Sequence, residues 1–195
     1  MIGCQDFCGY YDWTFEYLRR HYGEEALRDY WEQAIALDSQ RHARALFCEK
    51  GFQGMAEYWG HTLAAEEAGY VATQGEGVYR IDMHRCPSKG FLTAQGMQFY
   101  HDYCEHCMGW IRPLMDEAGF AIDHAHNHRG QCWWEIRRVD EAGNPSAPGT
   151  LAGERDVRLS VEWSAGTKHL FLASRRCPAS DDSENHHGSS PQPSS

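Results

Sequence analysis

The sequence predicts an α+β fold: N-terminal helices, a strand, a long helix, then an antiparallel sheet of about four to five strands. Three observations predict it. Apolar residues recur at helical spacing through the first 70 residues. The period changes to two at residues 78 to 86. Short alternating segments punctuated by glycine then follow residue 119. Helices and strands are segregated along the chain rather than interleaved as βαβ units, so no doubly wound nucleotide site is expected.

In chain order, residues 12 to 33 carry Phe15, Leu18, Tyr22, Ala26 and Tyr30 on one stripe, with a break expected at Gly23. Residues 34 to 68 keep a helix-forming composition, and Gly69 reads as a stop. In VYRIDMHRC (78–86), Tyr79, Ile81 and Met83 fall on one face, and Asp82, His84 and Cys86 on the other. Residues 93 to 112 return to helical spacing, with Met97, His101, Cys104 and Met108 on one flank and Pro113 bending or ending the run. Residues 120 to 128 and 131 to 139 read as a hairpin turning at Arg129-Gly130. Further strands are expected at 156 to 163 and 168 to 174, separated from the hairpin by a polar Gly/Pro loop. The domain reading is a helical region (1–70) packed with an α+β core (71–176) as one unit, then a disordered tail (177–195) of low complexity.

Bulk properties exclude some functions. A net charge of −10 leaves no basic footprint for nucleic acid. No run of apolar residues is long enough to span a membrane. The start of the chain lacks a basic segment followed by an apolar one, so no secretory signal is read. The eight cysteines are scattered through a chain that can build a core, which points to reduced thiols and a cytoplasmic location.

Three groups could carry chemistry. Asp82, His84 and Cys86 share a strand face at a spacing of two, roughly 6–7 Å between neighbouring Cα atoms. A thiol beside an imidazole oriented by a carboxylate is the usual recipe for a cysteine nucleophile. Cys104 and Cys107 form a C-x-x-C pair, half of a zinc site or a redox pair. His124, His126 and His128 alternate on one strand face, and three imidazoles suit zinc or copper. With Cys107 they are the candidate metal ligands, and zinc the candidate cofactor. Across the turn, Cys132 shares a face with Trp134, and Glu135 shares one with Trp133.

The segments IDMHRCPSKG (81–90), FYHDYCEHCMGW (99–110) and HNHRGQCWWEI (126–136) resemble the L-2-amino-thiazoline-4-carboxylic acid hydrolase family. The matching residues are Cys86-Pro87 after a strand, Cys104 in a helix, and Gly130 with Cys132 at the start of a strand. The chain departs from the family pattern where Cys107 and Trp133 replace acidic residues, and in its histidine triplet. The resemblance implies a small-molecule substrate and hydrolysis at a cyclic amidine carbon. Cys86, Cys104 and Cys132 are then the thiol candidates. His84, His126 and His128 are candidate acids or bases, and Asp82 or Glu135 would orient them. Arg80 or Arg85 would meet a substrate carboxylate.

Overall fold

A computed structural model describes residues 4–97, 99–127 and 129–139, and the backbone of 167–171. Among the described residues, the fold is five α-helices and a five-stranded antiparallel sheet whose strands lie in the order 69–75, 78–85, 132–138, 120–126 and 167–171. Helix α1 (Cys8–Asp29) breaks at Gly23, whose φ of 90° suits only glycine. A π-helical stretch (Tyr30–Ser39) continues from it, followed by α2 (Arg41–Lys50) and α3 (Phe52–Ala65). The expected break and the helical N-terminal region are both present.

Strand β1 (Gly69–Gly75) was not foreseen beyond Gly69. It is an edge strand whose residues past Tyr70 are all exposed, so it carries no apolar alternation to read. It forms a hairpin with β2 (Val78–Arg85). The long helix expected over 93–112 is two helices, α4 (Pro87–Ala94) and α5 (Glu105–Ala118). Gly96, at φ 68°, ends the first. The segment after it is tied to α1: the buried Asp12 carboxylate accepts hydrogen bonds from the amides of Phe99 (2.8 Å) and Tyr100 (3.0 Å). Met97 and His101 consequently lie exposed instead of on a helix flank. Pro113 sits inside α5, and Gly119 caps it in the left-handed conformation.

The hairpin of β3 (Phe120–His126) and β4 (Cys132–Arg138) is as expected. Strand β5 (Thr167–Phe171) pairs with β3, matching the start of the last expected strand. The strand expected at 156–163 and the tail lie outside the described residues.

The main core forms where the helices meet the sheet. Phe47, Met55, Trp59, Ile111 and Met115 pack against Ile81, Phe120, Ile122, Trp134 and Ile136. Each such side chain contributes roughly 1.5–3 kcal/mol by leaving water. A second cluster around Phe15 and Trp31 joins α1 to the segment before α5. Trp13 is exposed and stacks on Tyr17.

Candidate active site

Pairing register builds the floor of the site. Met83, Cys132 and His126 stand in one row across β2, β4 and β3, and Ile81, Trp134 and His124 in the next. Alternation puts both rows on the helix-facing side. A cavity of about 410 Å³ lies above them, within the range that holds a small molecule. Cys86 from the start of α4, and Cys104, His106 and Cys107 from the start of α5, add to its lining, as do Cys4, His42 and Glu66.

Cys86 reaches this cavity because β2 ends at Arg85 and Pro87 opens α4. Cys86 is the N-cap, so it leaves the alternation of the strand. Its sulfur accepts the Lys89 amide at 3.4 Å, and the Ser88 and Gly90 amides also point at it. Burial raises its pKa; those amides and the Lys89 ammonium pull the other way. Burial also pushes Cys104 up to about 12, and the Gly130 N–H on its sulfur opposes the rise. In the resting site both sulfurs are therefore thiols.

Gly130 joins these parts. Its carbonyl accepts the Cys86 amide at 2.8 Å, while its own amide meets Cys104. Its φ is 87°, and an added Cβ would stand 3.3 Å from the Gly90 nitrogen and 3.5 Å from the Cys86 Cβ. Asn127 shapes the turn by accepting the amides of Arg129 (2.9 Å) and Gln131 (3.3 Å) on its side-chain oxygen.

Two imidazoles have fixed roles. His126, 1% exposed at its side chain, bonds through Nε2 to Glu105 Oε1 at 2.8 Å. A carboxylate accepts, so Nε2 carries the proton and Nδ1 is the basic nitrogen of the neutral ring. His106 donates from Nδ1 to the Tyr103 carbonyl. Its Nε2 is left to accept from the Cys107 thiol, 4.0 Å away. Burial lowers the pKa of His106 to about 4, so it is neutral at pH 7.

The structure thus gathers Cys86, Cys104, Cys107, Cys132, His124 and His126 around one cavity. It separates Asp82, His84 and Glu135 from them. Asp82 and Glu135 lie on the opposite face of the sheet, both bound to Arg80 (2.9 and 2.7 Å), which stacks over Trp133 at 4.8 Å. They share no face with Cys86 because the strand ends before it. His84, on the same side as Asp82, packs on Gly69, where an added Cβ would be 2.9 Å from its ring. The arginines proposed for a substrate carboxylate are engaged elsewhere: Arg80 in that network and Arg85 with the Glu67 carbonyl at 3.2 Å.

His128 lies outside the described residues. The rings of His124 and His126 are neighbours, with centroids 5.2 Å apart and planes tilted by 35°. Among the described residues, no three His, Cys, Asp or Glu side chains are grouped to hold a metal ion. Glu105 and His106, inside the C-x-x-C, are site residues to which the sequence pattern assigns no role. Their position between two cysteines was the available signal, but only the start of α5 reveals which side each faces.

Fold and site together define an α+β protein with a thiol- and imidazole-lined cavity between its helical layer and its sheet. Compared with known proteins, the chain matches no family model, no curated protein and no solved structure. Among the described residues, no helix is long and apolar enough to cross a membrane.

Proposed function

We propose that this protein is a cysteine hydrolase of a small cyclic substrate containing C–N and C–S bonds, similar in chemistry to L-2-amino-thiazoline-4-carboxylic acid hydrolases. One observation carries the reading: Cys86, Cys104, Cys132 and His126, far apart in sequence, line one cavity, with the Cys86 sulfur under the first amides of α4.

Cys86 is the nucleophile. The α4 amides and Lys89 favour its thiolate as it forms. The sulfur adds to the amidine carbon, a ring bond to that carbon breaks, and the departing heteroatom takes a proton. Water then displaces Cys86. His126 moves these protons, with Glu105 holding the ring and offsetting the positive charge it acquires. This assigns to Glu105 the orienting role that the sequence suggested for Asp82 or Glu135.

The test offers L-2-amino-thiazoline-4-carboxylic acid and its decarboxylated ring analogue to wild type, Cys86→Ser and Cys86→Ala, with products separated by chromatography and identified by mass. Turnover by wild type, lost in both variants, is expected. Full turnover by both variants would remove cysteine nucleophilic catalysis at this position.

A further inference from the structure

The start of α5 holds a second arrangement of thiols with its own chemistry. Cys104 is the N-cap of α5, and Cys107 lies three residues on, in the first turn. Residues three apart on a helix are side-chain neighbours, about 5–6 Å between Cβ atoms. A disulfide needs Cβ atoms about 3.5–4.5 Å apart. The gap closes with a small shift in the first turn, where the Glu105 and His106 amides bond back to the Asp102 and Tyr103 carbonyls and not into the body of α5. Both residues line the same cavity, and each lies within the electrostatic reach of the other.

We propose that Cys104 and Cys107 are a redox-active dithiol, oxidised by small-molecule disulfides to a disulfide within the first turn of α5. In the first step the Cys104 thiolate attacks one sulfur of the small disulfide. A mixed disulfide forms and one small thiolate leaves. The Gly130 amide on Cys104 favours the attacking thiolate. In the second step the Cys107 thiol, which lies 4.0 Å from Nε2 of His106, loses its proton to solvent. Cys107 then attacks Cys104 Sγ, and the second small thiolate leaves. Both released thiolates take up protons from solvent, matching the two that Cys104 and Cys107 lose. The protein loses two hydrogens and the small disulfide becomes two thiols, so the step balances.

Burial, which pushes Cys104 up to about 12, makes this oxidation slow at neutral pH and faster as pH rises. A high thiol pKa also makes a thiolate a poor leaving group, so the disulfide once formed resists small thiols. The proposal is independent of the hydrolase reading, and its test uses no substrate.

The full chain, folded and reduced, is incubated with oxidised glutathione at pH 7, 8 and 9, then acid-quenched, alkylated and mapped by peptide mass spectrometry. The expected product is a peptide containing Cys104 and Cys107, unalkylated and lighter by two hydrogens, restored by dithiothreitol. Its rate should rise by about tenfold per pH unit, following the thiolate fraction. In Cys107→Ser the reaction should stop at glutathione bound to Cys104. Three results would each overturn the proposal: a stable glutathione adduct at Cys104 in wild type, a disulfide joining Cys86 or Cys132 to either residue instead, or no oxidation at pH 9 while the protein stays folded.

Discussion

Acidification probes the burial of His106. In an unfolded chain its imidazole takes up a proton near pH 6.5. In the fold, burial between Phe15 and Tyr103 lowers the pKa to about 4. A depressed histidine pKa means that the unfolded state binds the proton first as pH falls, so this group's stability is complete above 6.5 and is lost on the way down to about 4. One pKa unit is worth about 1.36 kcal/mol. With values of 6.5 and about 4, the loss reaches about 2 kcal/mol by pH 5 and about 3 kcal/mol by pH 4. His106→Gln lacks the titration but keeps every other group. Urea denaturation of both proteins at pH 7, 6, 5 and 4 isolates the term, because shared carboxylates cancel in the difference. The stability gap between wild type and variant should shrink by those amounts as pH falls. A gap constant to within about 0.5 kcal/mol, or a His106 ring resonance titrating near 6.5 by NMR, would refute the assigned burial.

Four further outcomes follow from other contacts. Gly130→Ala should destabilise by about 1–3 kcal/mol in urea, since an L residue is strained at φ 87° and its Cβ presses on Gly90 and Cys86. Glu105→Gln should lower kcat by about 10-fold or more with KM little changed, in steady-state kinetics on whichever ring compound is turned over, because His126 keeps an acceptor but loses the charge. Asp12→Ala should cost about 2–4 kcal/mol by thermal or chemical denaturation, leaving the Phe99 and Tyr100 amides without their acceptor. Gly109→Ala should destabilise by about 1–3 kcal/mol by the same measure, as its Cβ would fall 2.4 Å from a Trp31 ring carbon.

The legible parts of the fold were those in which one face is apolar and the other is not. Tyr79, Ile81 and Met83 mark β2 that way, and Phe120 and Ile122 mark β3. Strand β1 was illegible because it is held by pairing to β2 rather than by burying a face. The division of α4 from α5 was hidden for a different reason. It depends on Asp12, more than 80 residues upstream, accepting two amides that a helix would have used. At the site, the cysteines and two histidines are recognisable as residue types, and register brings Cys132, His124 and His126 together, while the starts of α4 and α5 bring the other thiols. The partners of those residues are not recognisable. Asp82 was expected beside Cys86 on the assumption that a strand continues, whereas the strand ends one residue before the thiol. The imidazole's carboxylate comes instead from Glu105, on another element.

Hairpin tips are ordinarily where a chain accepts inserted residues, because nothing else depends on their length. The tip at 127–131 is an exception. Its Gly130 bonds to the end of β2 through one peptide group and to the head of α5 through the next, and its α-carbon rests against α4. A single added residue there would displace three segments at once. The turn therefore sets the spacing among thiols that lie 18 and 28 residues apart along the chain. Related chains with this cavity can vary freely at the β1–β2 tip, whereas the β3–β4 tip has to keep its length.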